Sequence, residues 1–116
     1  MRLEYQNRDG ICVLRPAGRF VTGSDAELLS ARKYLDQNGF ARAVIDFSAV
    51  PYVDSTGLAF VVELHKSLAA RGGQLLLAGA NERIREVLEI TRFLDIIPLF
   101  DDVEEAVACF HSEVAC

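Results

Sequence analysis

The sequence predicts an α/β fold: a mixed sheet of four to five strands, opened by an N-terminal hairpin and parallel at its centre, covered by about four helices. Short runs rich in Val, Ile, Leu and Phe recur at "ICVL", "AVIDF" and "QLLLAG", too short for surface helices and apolar enough for strands buried on both faces. Longer stretches with apolar residues at helical spacing separate them. The resulting order, β-β-α-β-α-β-α-β-α, is that of strand-helix-strand units with right-handed parallel crossovers.

The elements follow one by one. "RLEYQ" alternates, with Leu3 and Tyr5 on one side and Arg2, Glu4 and Gln6 on the other, as a strand with one wet face does. "NRDG" turns the chain into "ICVLRPAG", a more interior strand that pairs with the first and ends at Pro16 and Gly18. In "SDAELLSARKYLDQNG", Ser24 with Glu27 fits a capping box, Leu28, Leu29, Arg32 and Leu35 keep helical spacing, and Asn38-Gly39 supplies the stop. "ARAVIDFSAV" reads as a buried central strand. A second helix carries Leu58, Val61, Val62, His65, Leu68 and Ala69 on one face until Gly72-Gly73, and "QLLLAG" resumes the sheet. "NERIREVLEI" is a third helix on Ile84, Val87, Leu88 and Thr91, and "DIIPLF" a short extended piece limited by its proline. Asp102 and Glu105 cap a fourth helix with Val103, Ala106, Val107, Phe110 and Val114 on its apolar stripe.

A chain of 116 residues with 51% hydrophobic and 25% charged residues suits one ordinary globular domain over residues 1–116. Its apolar runs fall short of the roughly 20 residues of a membrane span. No basic segment followed by an apolar one opens the chain, so a cytoplasmic location and no membrane partner are expected. The net charge of -5 works against direct nucleic-acid binding and favours a basic protein surface as partner. Cys12, Cys109 and Cys116 are odd in number and lack C-x-x-C spacing, which suggests reduced, mostly buried thiols and neither a disulfide framework nor a zinc site.

The chemistry concentrates in "YVDSTGLAFV", where a carboxylate and two hydroxyls sit between the central strand and the second helix. Ligands of open α/β sheets bind outside the carboxyl ends of the strands, and this junction lies at such an end. Three readings compete. Ser55 or Thr56 could cap the helix, accepting one of the unpaired amide hydrogens of its first turn, with Gly57 allowing tight packing. A nucleophile is disfavoured, because a nucleophile elbow needs G-x-S-x-G where Val53 stands two before Ser55, and neither His65 nor His111 has an evident orienting carboxylate. His65, on an apolar helix face, is better read as a core or rim histidine. Neither G-x-x-x-x-G-K-[ST] nor G-x-G-x-x-G occurs, no carboxylate group has metal-ligand spacing, and no cofactor is expected. The third reading is a switch: a hydroxyl at a helix start accepts a phosphate at little cost to the fold, since the amide hydrogens and the helix dipole favour negative charge there.

"VIDFSAVPYVDSTGLAFVVELHKSLAARGGQLLLAG" resembles the sulfate transporter and anti-sigma factor antagonist (STAS) domain in its stand-alone bacterial antagonist form. The similarity extends through "RPAGRF", "ANERIREVLEITRFLDIIPLFDD" and "VEEAVACF". What it implies is a non-enzymatic binding switch. The unphosphorylated form binds an anti-sigma factor that is itself a serine kinase, with ATP bound on that partner, and so releases the sigma factor. Phosphorylation of Ser55, with Thr56 the less favoured acceptor, ends the binding, and a serine phosphatase reverses it. The docking face implied comprises Thr22, Gly23, Ser24, Tyr52, Val53, Asp54, Ser55, Thr56 and Gly57, on a monomer or weak dimer. The alternative from the same family is an accessory or scaffold subunit of a lipid or anion transporter or of a stress-signalling complex.

Overall fold

The computed structural model describes residues 2–19 and 25–112. β1 (Arg2–Arg8) and β2 (Ile11–Ala17) form the expected antiparallel hairpin, in register from Arg2 opposite Ala17 to Arg8 opposite Ile11. Leu3 and Tyr5 turn inward while Arg2, Glu4 and Gln6 face water. β3 (Arg42–Asp46), β4 (Gln74–Ala78) and the two-residue β5 (Leu99–Phe100) add in parallel, so the five strands lie side by side in chain order.

That order explains where the helices go. α1 (Asp25–Gln37), α2 (Ser55–Ala70) and α3 (Glu82–Ile90) are the crossovers of successive parallel units, and crossovers of one hand along a sequentially ordered sheet fall on one face. Cys12, Leu14, Ala43, Ile45, Leu75 and Leu77 point to that face, against Leu28, Leu35, Val61, Leu64, Leu68, Ile84 and Leu88. The alternate residues Ile11, Val13, Val44, Leu76 and Ala78 would be left in water on the other face. α4 (Val103–His111) covers them with Val103, Ala106, Val107 and Phe110. Central strands apolar at every position are thus buried on both sides.

The fourth helix is tied down at both ends. Arg8 donates to both carboxylate oxygens of Glu104 at 2.6 and 2.9 Å, a hydrogen-bonded pair that holds the Glu104 carboxyl below its ordinary pKa and raises that of Arg8. Arg42 donates to the Phe110 carbonyl oxygen and stacks over the Phe110 ring.

Helix ends follow the expected chemistry with some corrections. Gly39, at φ +67°, closes α1: its N–H reaches Asp36 O while Phe40 N–H reaches Leu35 O, and Phe40 joins Leu35 in the core. Gly72 and Gly73 end α2 by the same pattern, onto Ala69 O and Leu68 O. The expected Ser24 cap lies outside the described residues, as does Val114. Leu29, placed on the inner face of α1 by spacing, is instead 55% exposed, and Ala31 takes the buried position. On α2 the inner face centres on Gly57, Val61, Leu64 and Leu68, while Ala69 is exposed and Val62 and His65 are half-buried. The apolar stripe is therefore rotated by one residue from the one spacing suggests, and includes Leu64.

Cys12 is buried and free, and burial pushes its thiol pKa up to about 12. Cys109 is disulfide-bonded, so the expectation of reduced thiols throughout does not hold for it. Among the described residues no helix is long and apolar enough to cross a membrane.

Candidate functional site

The loop from β3 to α2 delivers the chain to Ser55 along a fixed path. Phe47, Val50 and Val53 are buried at intervals of three, pinning the loop to the core. Phe47 N–H bonds Ala78 O and Val50 N–H bonds Phe47 O, so the loop is stitched to β4 and to itself. Gly18 N–H reaches Ala49 O from the end of β2. On the far side the Asn81 side chain donates to Pro51 O at 3.3 Å while its oxygen caps α3 by accepting from Ile84 N–H at 2.8 Å. One amide therefore couples the approach to α2 with the start of α3.

Asp46, at the end of β3, is the buried carboxylate beneath this loop. Its Oδ1 accepts from Ser48 N–H at 3.0 Å and its Oδ2 lies 3.4 Å from Arg15 Nε. Gly79, at φ +74°, passes close enough that a Cβ there would sit 2.8 Å from Asp46 Oδ1. The sequence contains no motif that singles Asp46 out, because only the tertiary approach of Arg15 and Gly79 defines its surroundings.

Neither hydroxyl caps α2. The cap is Asp54: extended in backbone, it accepts from Thr56 N–H at 2.9 Å and Gly57 N–H at 3.1 Å through one carboxylate oxygen, and its carbonyl accepts from Leu58 N–H. A carboxylate both satisfies the orphan donors and opposes the positive end of the helix dipole, so it outcompetes a neutral hydroxyl for the position. Ser55 thereby becomes the first helical residue and is exposed, while Thr56 is half-buried and Gly57 buried.

Of the docking residues expected from the sequence, Tyr52, Asp54, Ser55 and Thr56 come together on the surface at the carboxyl end of the sheet. Tyr52 is 36% exposed, with the Arg19 guanidinium over its ring at 5.2 Å. Val53 is only 6% exposed and Gly57 is buried, so these two shape the loop from below and present no side chain to a partner. Thr22, Gly23 and Ser24 lie outside the described residues. No three His, Cys, Asp or Glu side chains among the described residues gather into a metal-holding group.

The described residues thus form an open α/β sheet with an exposed hydroxyl at the first position of a capped helix. The chain belongs to the STAS domain family, whose profile matches residues 2–106. It is 33% identical over 113 residues to BtrV of Bordetella bronchiseptica, which is named provisionally as an anti-sigma factor antagonist; the match covers 97% of each chain. The fold also matches the crystal structure of TM1081 from Thermotoga maritima with a TM-score of 0.86, at 24% identity over 95% of each chain. SpoIIAA, an anti-sigma factor antagonist solved in unphosphorylated form, matches with a TM-score of 0.75 at 16% identity, over 97% of this chain and 100% of its own.

Proposed function

We propose that this protein is an anti-sigma factor antagonist that works as a phosphorylation switch on Ser55 and is not an enzyme. In its unphosphorylated form it binds, in the cytoplasm, an anti-sigma factor that is also a serine kinase, and the sigma factor is released. Transfer of a phosphate to Ser55 from ATP held by that partner ends the association, and a serine phosphatase restores it. Tyr52 and Ser55, both exposed, with the half-buried Asp54 and Thr56 beside them, form the centre of the docking face, to which Thr22, Gly23 and Ser24 also belong, and residues 1–116 act as one domain.

The observation that carries this reading is that Ser55 is exposed at the first position of α2 while its backbone is held by the Asp54 cap and the buried Val53. A kinase needs a hydroxyl it can reach, and a switch needs a fold that survives the modification. Phosphate adds about -1.5 to -2 charges. At a helix start the free-energy cost to folding is small, because the dipole attracts the new charge while the Asp54 carboxylate next to it repels it. At an interface nothing offsets it: an anion pressed against a surface shaped for a neutral serine is either desolvated without a partner or faces like charge.

Incubation with the cognate kinase and ATP, followed by mass spectrometry, should place one phosphate on Ser55. Incorporation that persists in Ser55→Ala would reject the assignment. Calorimetry should show that Ser55→Asp binds the anti-sigma factor more weakly than the parent chain, and equal affinities would remove the electrostatic basis of the switch.

A further inference from the structure

Arg19 follows directly on β2 and is exposed, with its guanidinium carbon 5.2 Å from the centre of the Tyr52 ring. The backbone brings the two together. Gly18 N–H donates to Ala49 O at 2.9 Å and Ala17 pairs with Ala49 in a parallel bridge, so the chain leaving β2 is bound to the loop that carries Tyr52. The buried Val50 and Val53 pin that loop on either side of the ring. Seven other arginines each reach a carboxylate oxygen within 3.8 Å. Arg19 makes no ion pair and no side-chain hydrogen bond among the described residues, although the chain carries a net charge of -5. Stacking on a ring occupies the flat face of a guanidinium and leaves its N–H edge able to donate. An acidic chain thus presents an unpaired cation over an exposed aromatic ring, close in sequence to the phosphoacceptor Ser55.

We infer that Arg19 is a specificity residue of the docking face: the anti-sigma factor kinase meets its guanidinium with a carboxylate and lays an apolar surface against Tyr52. This rests on the switch proposed above. Arg and Tyr are residue types in which binding energy concentrates at protein interfaces. The planar N–H fork of a guanidinium matches the two oxygens of a carboxylate, which makes a paired contact stronger and more directional than one with a neutral acceptor. The ring and the tethered backbone already hold the side chain, so docking costs less rotamer freedom. A lone cation in a chain of net charge -5 does not neutralise a nucleic-acid backbone. The overall charge draws in a basic partner surface, and Arg19 requires that surface to change sign at one point. A related kinase with a cation at that point is rejected.

Calorimetry of the cognate kinase with the whole chain and its Arg19 variants tests this. Arg19 is exposed, so each variant should unfold in urea at the parent's midpoint. Arg19→Lys keeps the charge and loses the fork, and should weaken binding about threefold. Arg19→Gln should weaken it about tenfold. Arg19→Glu sets like charges against each other and should weaken it about a hundredfold. Tyr52→Phe keeps the ring and should bind within about twofold of the parent. Added salt should weaken the parent more than Arg19→Gln. Among kinase variants with one exposed Asp or Glu changed to Arg, one should restore binding of Arg19→Glu to within about tenfold of the parental pair. Parental affinity in Arg19→Gln and Arg19→Glu, with Ser55 still phosphorylated, overturns this inference and leaves the switch standing. Equal losses in the Lys, Gln and Glu variants, or no restoring kinase variant, likewise overturn it. A parent chain that neither binds the kinase nor takes a phosphate on Ser55 overturns both.

Discussion

Asp54→Ala removes the acceptor for two amide hydrogens at the start of α2, and the consequence can be worked out from the geometry. Thr56 N–H and Gly57 N–H both point at one Asp54 oxygen, at 2.9 and 3.1 Å. Gly57 is buried, so water does not replace the lost acceptor there readily. Loss of an N-cap of this kind costs about 1–2 kcal/mol. Loss of a negative charge at the positive end of the helix adds about 0.5 kcal/mol. The total of about 2 kcal/mol, divided by a urea m-value of about 1.5 kcal/mol/M, lowers the unfolding midpoint by about 1.3 M. The chain has no Trp, so far-UV circular dichroism is the signal to follow. Asp54→Asn keeps a carbonyl oxygen in the same place and should cost only the charge contribution, about 0.5 kcal/mol. If Asp54→Ala falls within about 0.5 kcal/mol of the parent, or if Asn is as damaging as Ala, then this side chain does not anchor the backbone of Ser55.

Other outcomes follow from the same structure. Gly73→Ala should destabilise by about 3 kcal/mol or more, because a Cβ there would sit 1.6 Å from Ala41 O, whose own bond to Gln74 N–H joins β3 to β4; a variant that unfolds at the parent's midpoint would show that this turn yields freely. Cys12 predicts a pH dependence. Its folded thiol pKa of about 12 lies above the unfolded value, so the neutral thiol's contribution to stability is complete below the ordinary thiol range and is lost as pH climbs toward 12. The slope is about 1.4 kcal/mol per pH unit in that window. Urea unfolding at pH 8 and pH 10.5 should therefore find the parent losing stability relative to Cys12→Ala, and a difference between the two that does not change with pH would contradict the assigned burial effect.

Much of this architecture was legible along the chain because it rests on local chemistry. Val, Ile and Leu in short runs specify buried strands, and Asn38-Gly39 and Gly72-Gly73 supply the left-handed residues that close helices. Contiguous apolar residues in β2, β3 and β4 already require cover on both faces. Periodicity was less dependable where it had to separate neighbouring helix faces. Leu29 and Ala69 keep acceptable spacing yet face water, since the docking angle of a helix on the sheet, and not its own pattern, sets the buried side.

The sequence by itself determined the class of fold, the element order and the junction at which a hydroxyl meets a helix start. Only the tertiary structure decided that α4 closes the face opposite the other three helices, because that depends on the sequential strand order of the sheet. It also decided that Asp54, and neither hydroxyl, accepts the amide hydrogens, which leaves Ser55 outward while Val53 is drawn into the core. The stacking of Arg19 on Tyr52 belongs wholly to this second kind of information: one residue follows β2 and the other lies in the loop after β3, and their proximity is a product of packing that no single stretch of residues encodes.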